Sequence, residues 1–292
     1  MGKQQNTYSL SDPGRRRDNN EDCFLEDLSL GLWAVADGMG GHEAGEVASA
    51  IAIKVIREQF AQQAPLADAI QAAHQAVLAA ASAGCGAEGM GSTIVALSSD
   101  TDHWHLSWVG DSRAYLWTSN QEGGQLQQLS ADHSYVQMLY QSGAIEAEDM
   151  ESHPSKHVIT QCLGSTQVDQ VKVDNLTQPW QAQQTLLLCS DGLSDELSDE
   201  SIAEILCQYK TLPDAGAALL NAALSAGGKD NITLQLIGSP LDYQACSNAT
   251  PPSNREDHIK VNTPFPAARL IKGLLIVAAL AGLLTVLLGS AG

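Results

Sequence analysis

The sequence predicts an α+β fold built in layers. Helical segments come in pairs and strand segments in runs, not in the strict strand-helix alternation of a parallel sheet. Several apolar runs are also short, and an aspartate beside a glycine follows where they stop, as expected for strands running out at a sheet edge.

LWAVA at 32–36 is such a run and leads into Asp37-Gly38. EAGEVASAIAIKVIREQF (43–60) places Ala, Val and Ile at helical spacing. PLADAIQAAHQAVLAAAS (65–82) is a second helix, with Pro65 in its first turn. STIVALS (92–98), HWHLSWVG (103–110) and RAYLW (113–117) are successive strands joined by turns. TLLLCSDG (185–192) is a buried strand that again ends in Asp-Gly. DESIAEILCQY (199–209) and PDAGAALLNAALSAG (213–227) form the second helical pair, and NITLQLIG (231–238) is the last strand.

Composition changes after Gly238. Residues 239–268 are rich in Pro, Ser and Asn without apolar periodicity, which predicts a flexible linker. From Gly273 to Gly292 no residue is charged. At about 1.5 Å per residue this run spans roughly 30 Å, one bilayer core. The sequence thus predicts a domain at 1–238, a linker at 239–268 and a C-terminal transmembrane anchor at 269–292. Arg269 and Lys272 before the span place the domain on the cytoplasmic side of a single-pass protein. The first residues, MGKQQNTYSLSD, have no apolar core, so no secretory leader is expected.

The chain of 292 residues has a formal net charge of -19, and residues 1–238 carry 11 basic against 31 acidic residues. A phosphate backbone repels such a domain, so nucleic-acid binding is not expected. None of the six cysteines forms a Cys-x-x-Cys pair, which argues against structural zinc. None has an Arg six positions later, so none fits a cysteine-phosphatase loop. His103 and His105 share a strand face but lack a third ligand nearby in sequence.

Aspartates at strand ends carry the chemical signal: Asp37 in VADG, Asp111 in VGDS and Asp191 in CSDG, with Asp230 in GKDN just before the last strand. One Asp-Gly is ordinary turn chemistry. Several strand ends meeting at one sheet edge would crowd carboxylates, and like charges raise one another's pKa until hard divalent cations neutralise them. Gly38 has no Cβ to keep its carbonyl away from such a cation. VADGMGGH (35–42) is a glycine-dense loop that could place His42 near a substrate. RRRDNNEDC (15–23) is the one strongly basic spot, and its guanidinium groups suit phosphate oxygens.

Arg17 to Asp22 (RxxNED), VADGMGGH (35–42), GSTIV (91–95), VGDSRAYL (109–116), DHS (132–134), VITQCLG (158–164), SDGLSD (190–195) and KDNIT (229–233) occur in this order. Together they resemble the bacterial metal-dependent protein phosphatases of type 2C, from about Ser9 to Gly238. The resemblance implies a four-layer α-β-β-α sandwich with two antiparallel sheets and metals at one edge. It implies hydrolysis of phosphoserine and phosphothreonine by a metal-activated water, without a phosphoenzyme. The ions would be Mn2+ or Mg2+, two of them with a third held more weakly. By the same resemblance Asp37 would bridge two ions and Gly38 would offer its carbonyl oxygen to one. Asp191 and Asp230 would hold the other, and Glu21 and Asp22 would act directly or through water. Asp111 would hold the third ion, and Arg17 would grip the substrate phosphate. His42 would protonate the leaving oxygen, and Asn231 would orient the site around Asp230. Residues 134–158 resemble the family's flap beside the active site. Expected partners are phosphoprotein substrates, a Ser/Thr kinase whose action is opposed, and the membrane. A non-catalytic phosphoprotein-binding module and a phosphoesterase for small phosphates are the rival readings, though no purine-binding motif supports the second.

Overall fold

The computed structural model describes residues 6–40, 44–242 and 259–262. In chain order the elements are β1 (Thr7–Asp12), β2 (Cys23–Asp27), β3 (Leu32–Ala36), β4 (Gly38–Met39), α1 (Ala44–Ala61), α2 (Leu66–Ser82), β5 (Gly91–Ser92), β6 (Ile94–Ser99) and β7 (His103–Val109). They continue with β8 (Arg113–Asn120), β9 (Gly123–Gln128), α3 (Tyr135–Gln141), α4 (Ala147–Met150), β10 (Asp174–Pro179), β11 (Gln184–Cys189), α5 (Asp191–Ser194), α6 (Asp199–Gln208), α7 (Leu212–Ala226), β12 (Ile232–Gly238) and β13 (Ile259–Asn262).

The expected sandwich is present. One sheet has the order β1-β12-β11-β8-β9 and the other β10-β7-β6-β3-β2-β13. Every pairing in both is antiparallel. Trp33, Val35, Leu97 and Leu106 of one sheet meet Leu116, Leu186, Leu188 and Ile237 of the other in a buried central layer. The opposite faces are buried as well. Leu32, Ala34 and Ala36 pack under α1 and α2, while Leu187, Cys189 and Leu234 pack under α6 and α7. Burial on both faces is why LWAVA and TLLLC read as unbroken apolar runs rather than alternating ones.

The linker expectation changes in one place. Ile259–Asn262 is a strand that pairs with β2 at the sheet edge. Lys260 supplies a reason: its Nζ lies 3.2 Å from Oε1 of Glu26, a carboxylate buried inside β2. A buried carboxylate without such a partner is costly. Among the described residues no helix is long and apolar enough to cross a membrane. The predicted span at 269–292 lies outside the described residues, as do His42 and most of the linker.

Candidate metal centre

The topology brings the expected carboxylates to one edge of the sandwich. Ala36 pairs with Cys23, so Asp37 at the end of β3 stands beside Asp22 at the start of β2. Cys189 pairs with both Arg113 and Leu234. That pairing sets Asp191, after β11, between Asp111, before β8, and Asp230, before β12.

Hydrogen bonds lock this edge. The Ser190 hydroxyl donates to Asp22 Oδ2 at 2.8 Å and accepts from the Thr233 amide at 3.0 Å, tying the two sheets together. Asn231 Oδ1 accepts from the Glu21 amide at 2.8 Å. Its Nδ2 donates to the carbonyls of Pro13 and Asn19, each at 2.9 Å. Asn231 thus holds the whole 13–21 arm against the start of β12. The Asp37 amide donates to Thr93 Oγ1 at 3.2 Å, and that hydroxyl meets Ser112 Oγ at 2.7 Å.

Burial and mutual repulsion push several of these acids upward. Desolvation first, then the Asp22 and Asp191 charges, push Asp37 well above the usual carboxylate range. Asp22 is pushed up to about 7 by burial, against opposing hydrogen bonds from Thr233 and Ser190. Asp111 is pushed up to about 8, by burial and then by Asp191. Asp191 is pushed up to about 6, by burial and then by Asp195 and Asp230. Burial also raises Glu21, with the nearby Arg17 opposing the shift.

Arg17 reaches into this edge, with Nη2 2.6 Å from Asp230 Oδ2. That hydrogen bond raises the guanidinium further above its ordinary value. Among the described residues no group of three His, Cys, Asp or Glu side chains is already arranged to hold an ion. The donor set still fits hard divalent cations, because it is all oxygen. Asp22 Oδ1 and Asp191 Oδ1 are buried and have no hydrogen-bond partner, as expected for atoms meant for another ligand. The backbone is also fitted closely: a Cβ on Gly38 would overlap the Gly45 carbonyl oxygen, and one on Gly192 the Asn231 carbonyl oxygen.

Supporting contacts emerge whose pairing the sequence did not show, though the DHS motif marked His133 as a loop support. Arg113 forks onto Asp132, with Nη2 to Oδ2 at 2.7 Å and Nε to both oxygens at 3.0 and 3.1 Å. His133 Nδ1 accepts from the Gly110 amide at 3.1 Å, and its Nε2 lies 3.2 Å from Asp174. These contacts brace the turn that carries Asp111. The signal was the pairing of VGDSRAYL with DHS, which only the three-dimensional partners make readable. His157 of the flap lies 3.1 Å from Asp195. His103 and His105 are exposed on β7, and His105 Nδ1 meets Thr177 Oγ1 at 2.9 Å. Cys189 is a core thiol that burial pushes up to about 12.

Comparison with known proteins agrees with this geometry. The family model described as protein phosphatase 2C matches residues 15–226. The serine/threonine phosphatase stp of Listeria monocytogenes is 35% identical over 244 residues, covering 79% of this chain and 94% of its own length. The crystal structure of the Mycobacterium tuberculosis serine/threonine phosphatase PstP aligns with a TM-score of 0.71 at 34% identity, covering 80% of this chain and 98% of that one. A catalytic domain of PstP in complex with two manganese ions aligns with a TM-score of 0.69 at 33% identity, covering 80% of this chain and 97% of that one.

Proposed function

This chain belongs to the protein phosphatase 2C family, the metal-dependent Ser/Thr protein phosphatases, and we propose that it works as a membrane-anchored member opposing a Ser/Thr kinase. Its cofactor is Mn2+ or Mg2+. The observation that carries the site assignment is the convergence of Asp22, Asp37, Asp111, Asp191 and Asp230 on one sandwich edge, where burial and repulsion raise Asp22, Asp37, Asp111 and Asp191.

In this reading Asp37, the Gly38 carbonyl, Asp191 and Asp230 would hold the two ions, with Glu21 and Asp22 contributing directly or through water, and Asp111 would hold a third, weaker ion. Bound there, the ions supply Lewis-acid charge and an acidified water for attack on phosphorus. Arg17 is half exposed at the rim, where it can leave Asp230 and fork onto the substrate phosphate. Its charge then opposes the negative charge of the transition state. Asn231 keeps the Arg17 arm in register with Asp230. His42, by resemblance alone, donates the proton to the leaving alkoxide.

The uncharged run from Gly273 to Gly292 supports the anchor, and Arg269 with Lys272 supports a cytoplasmic domain. Phosphoproteins would be the substrates, including a kinase of the same pathway. Two assays test the proposal. Phosphate should be released from a phosphothreonine peptide with Mn2+ and not from a nucleotide; preference for the nucleotide contradicts it. Deletion of 269–292 should move the protein from the membrane to the soluble fraction; a full chain that is already soluble refutes the anchor.

A further inference from the structure

β13 runs antiparallel to β2, from Ile259 beside Asp27 to Asn262 beside Phe24. Phe24 is two residues from Asp22. The chain therefore leaves the sandwich at the edge that carries the carboxylates, not at the far end. It is also fastened there, by ladder pairing to β2 and by Lys260 on the buried Glu26 carboxylate. Ser9 donates to the other Glu26 oxygen at 2.6 Å, so Lys260 and Ser9 together satisfy a group that would otherwise be buried alone.

We infer that the 259–262 strand clamps the catalytic edge toward the bilayer, so that the enzyme selects phosphoserine and phosphothreonine lying close to the membrane surface in other membrane proteins. This rests on the anchoring reading above and deepens it. Residues 263–268 are all that separate Asn262 from Arg269, and six residues reach at most about 22 Å. Without the clamp the tether would run from Asp242, 26 residues that reach about 90 Å when extended. Fastening the strand thus shortens the tether severalfold and fixes which edge faces the lipid.

The test uses the full chain in phosphatidylcholine–phosphatidylglycerol vesicles that also carry a phosphothreonine peptide on a transmembrane helix. The spacer between helix and phosphothreonine is either about 6 or about 40 residues, Gly/Ser-rich and flexible. The intact chain should favour the short spacer on the order of tenfold, because effective concentration concentrates near the bilayer. Two variants should reduce that preference to about twofold or less while leaving turnover of the free, soluble peptide unchanged. One replaces the strand at constant length (Ile259→Gly, Lys260→Ser, Val261→Gly, Asn262→Ser). The other keeps the strand and inserts a flexible segment between Asn262 and Arg269, so it probes tether length with the domain intact. Equal rates on both spacers by the intact chain, or a preference that survives the insertion, overturns the inference. A chain that does not float with the vesicles overturns the anchoring reading and this inference with it, whereas a floating chain without spacer preference overturns this inference alone.

Discussion

Arg17 Nη2 sits 2.6 Å from Asp230 Oδ2, so the side chain proposed to hold phosphate neutralises a proposed metal ligand. A phosphate forked onto the same guanidinium would share its charge with Asp230. On the proposed assignment, metal loading and substrate binding should be coupled through Arg17, because a cation at Asp230 would free the arginine for phosphate.

Arg17→Ala should accordingly have two opposite effects. It should lower kcat/KM on a phosphopeptide about 10- to 150-fold, the range expected for losing a charge-assisted hydrogen bond of about 1.5–3 kcal/mol. It should also tighten Mn2+ binding by removing the competing cation. Steady-state kinetics and calorimetric titration read the two separately.

Asn231→Ala removes the acceptor for the Glu21 amide and the donors to Pro13 and Asn19. A cost of about 1–3 kcal/mol is expected, with Tm falling about 2–4 °C per kcal/mol in a domain of this size. Mn2+ affinity should fall too, because the arm bearing Glu21 and Asp22 loses its register. Thermal melts with and without Mn2+ show both effects.

The metal-free protein should lose stability as pH rises. Asp22, Asp191 and Asp111 move from 3.8 to about 7, about 6 and about 8 on folding. Between those limits the native state binds protons that the unfolded chain has released, so the slope of stability against pH is negative. These groups contribute fully below about pH 4, and their contribution declines until about pH 8. Added Mn2+ should flatten the decline, and its own binding should tighten with pH because the carboxylates must lose protons. Melting temperatures across that range, with chelator and with Mn2+, test the sign.

Gly38→Ala would drive a Cβ into the Gly45 carbonyl at the start of α1. A loss of more than about 2 kcal/mol is expected, together with loss of Mn2+ binding, since overpacking here displaces backbone rather than a flexible side chain. Denaturant unfolding and metal titration of the variant check this.

What the sequence revealed follows burial on both faces. LWAVA and TLLLC are enclosed between helices and the facing sheet, so they read as strands without knowledge of their partners. CFLED of β2 is just as buried but holds two carboxylates, and its polarity hides it. Glu26 is satisfied by Ser9 and Lys260, 17 and 234 residues away, and the second oxygen of Asp27 by Arg57, 30 residues away, beside the local Ser29 and Leu30 donors to its first. Such distant partners have no local signature. β10 alternates half-buried and exposed residues and ends in Pro179, as an edge strand tolerates, so DNLTQP resembles a loop. The carboxylates were legible because each sits at a strand end in a distinct motif. Their braces, Arg113 with Asp132 and His133 with Asp174, depend on register between segments and were not.

The most direct measurement follows phosphate release from a phosphothreonine peptide while Mn2+ is titrated into metal-free protein, beside Asp37→Asn and Asp191→Asn. The wild-type chain should be inactive without metal and gain activity as the ions bind. Both variants should bind Mn2+ weakly and remain inactive across the titration while still folded by circular dichroism. Undiminished turnover by a folded Asp37→Asn or Asp191→Asn variant, or turnover by wild type in excess chelator, would contradict the assignment of this edge as the metal centre.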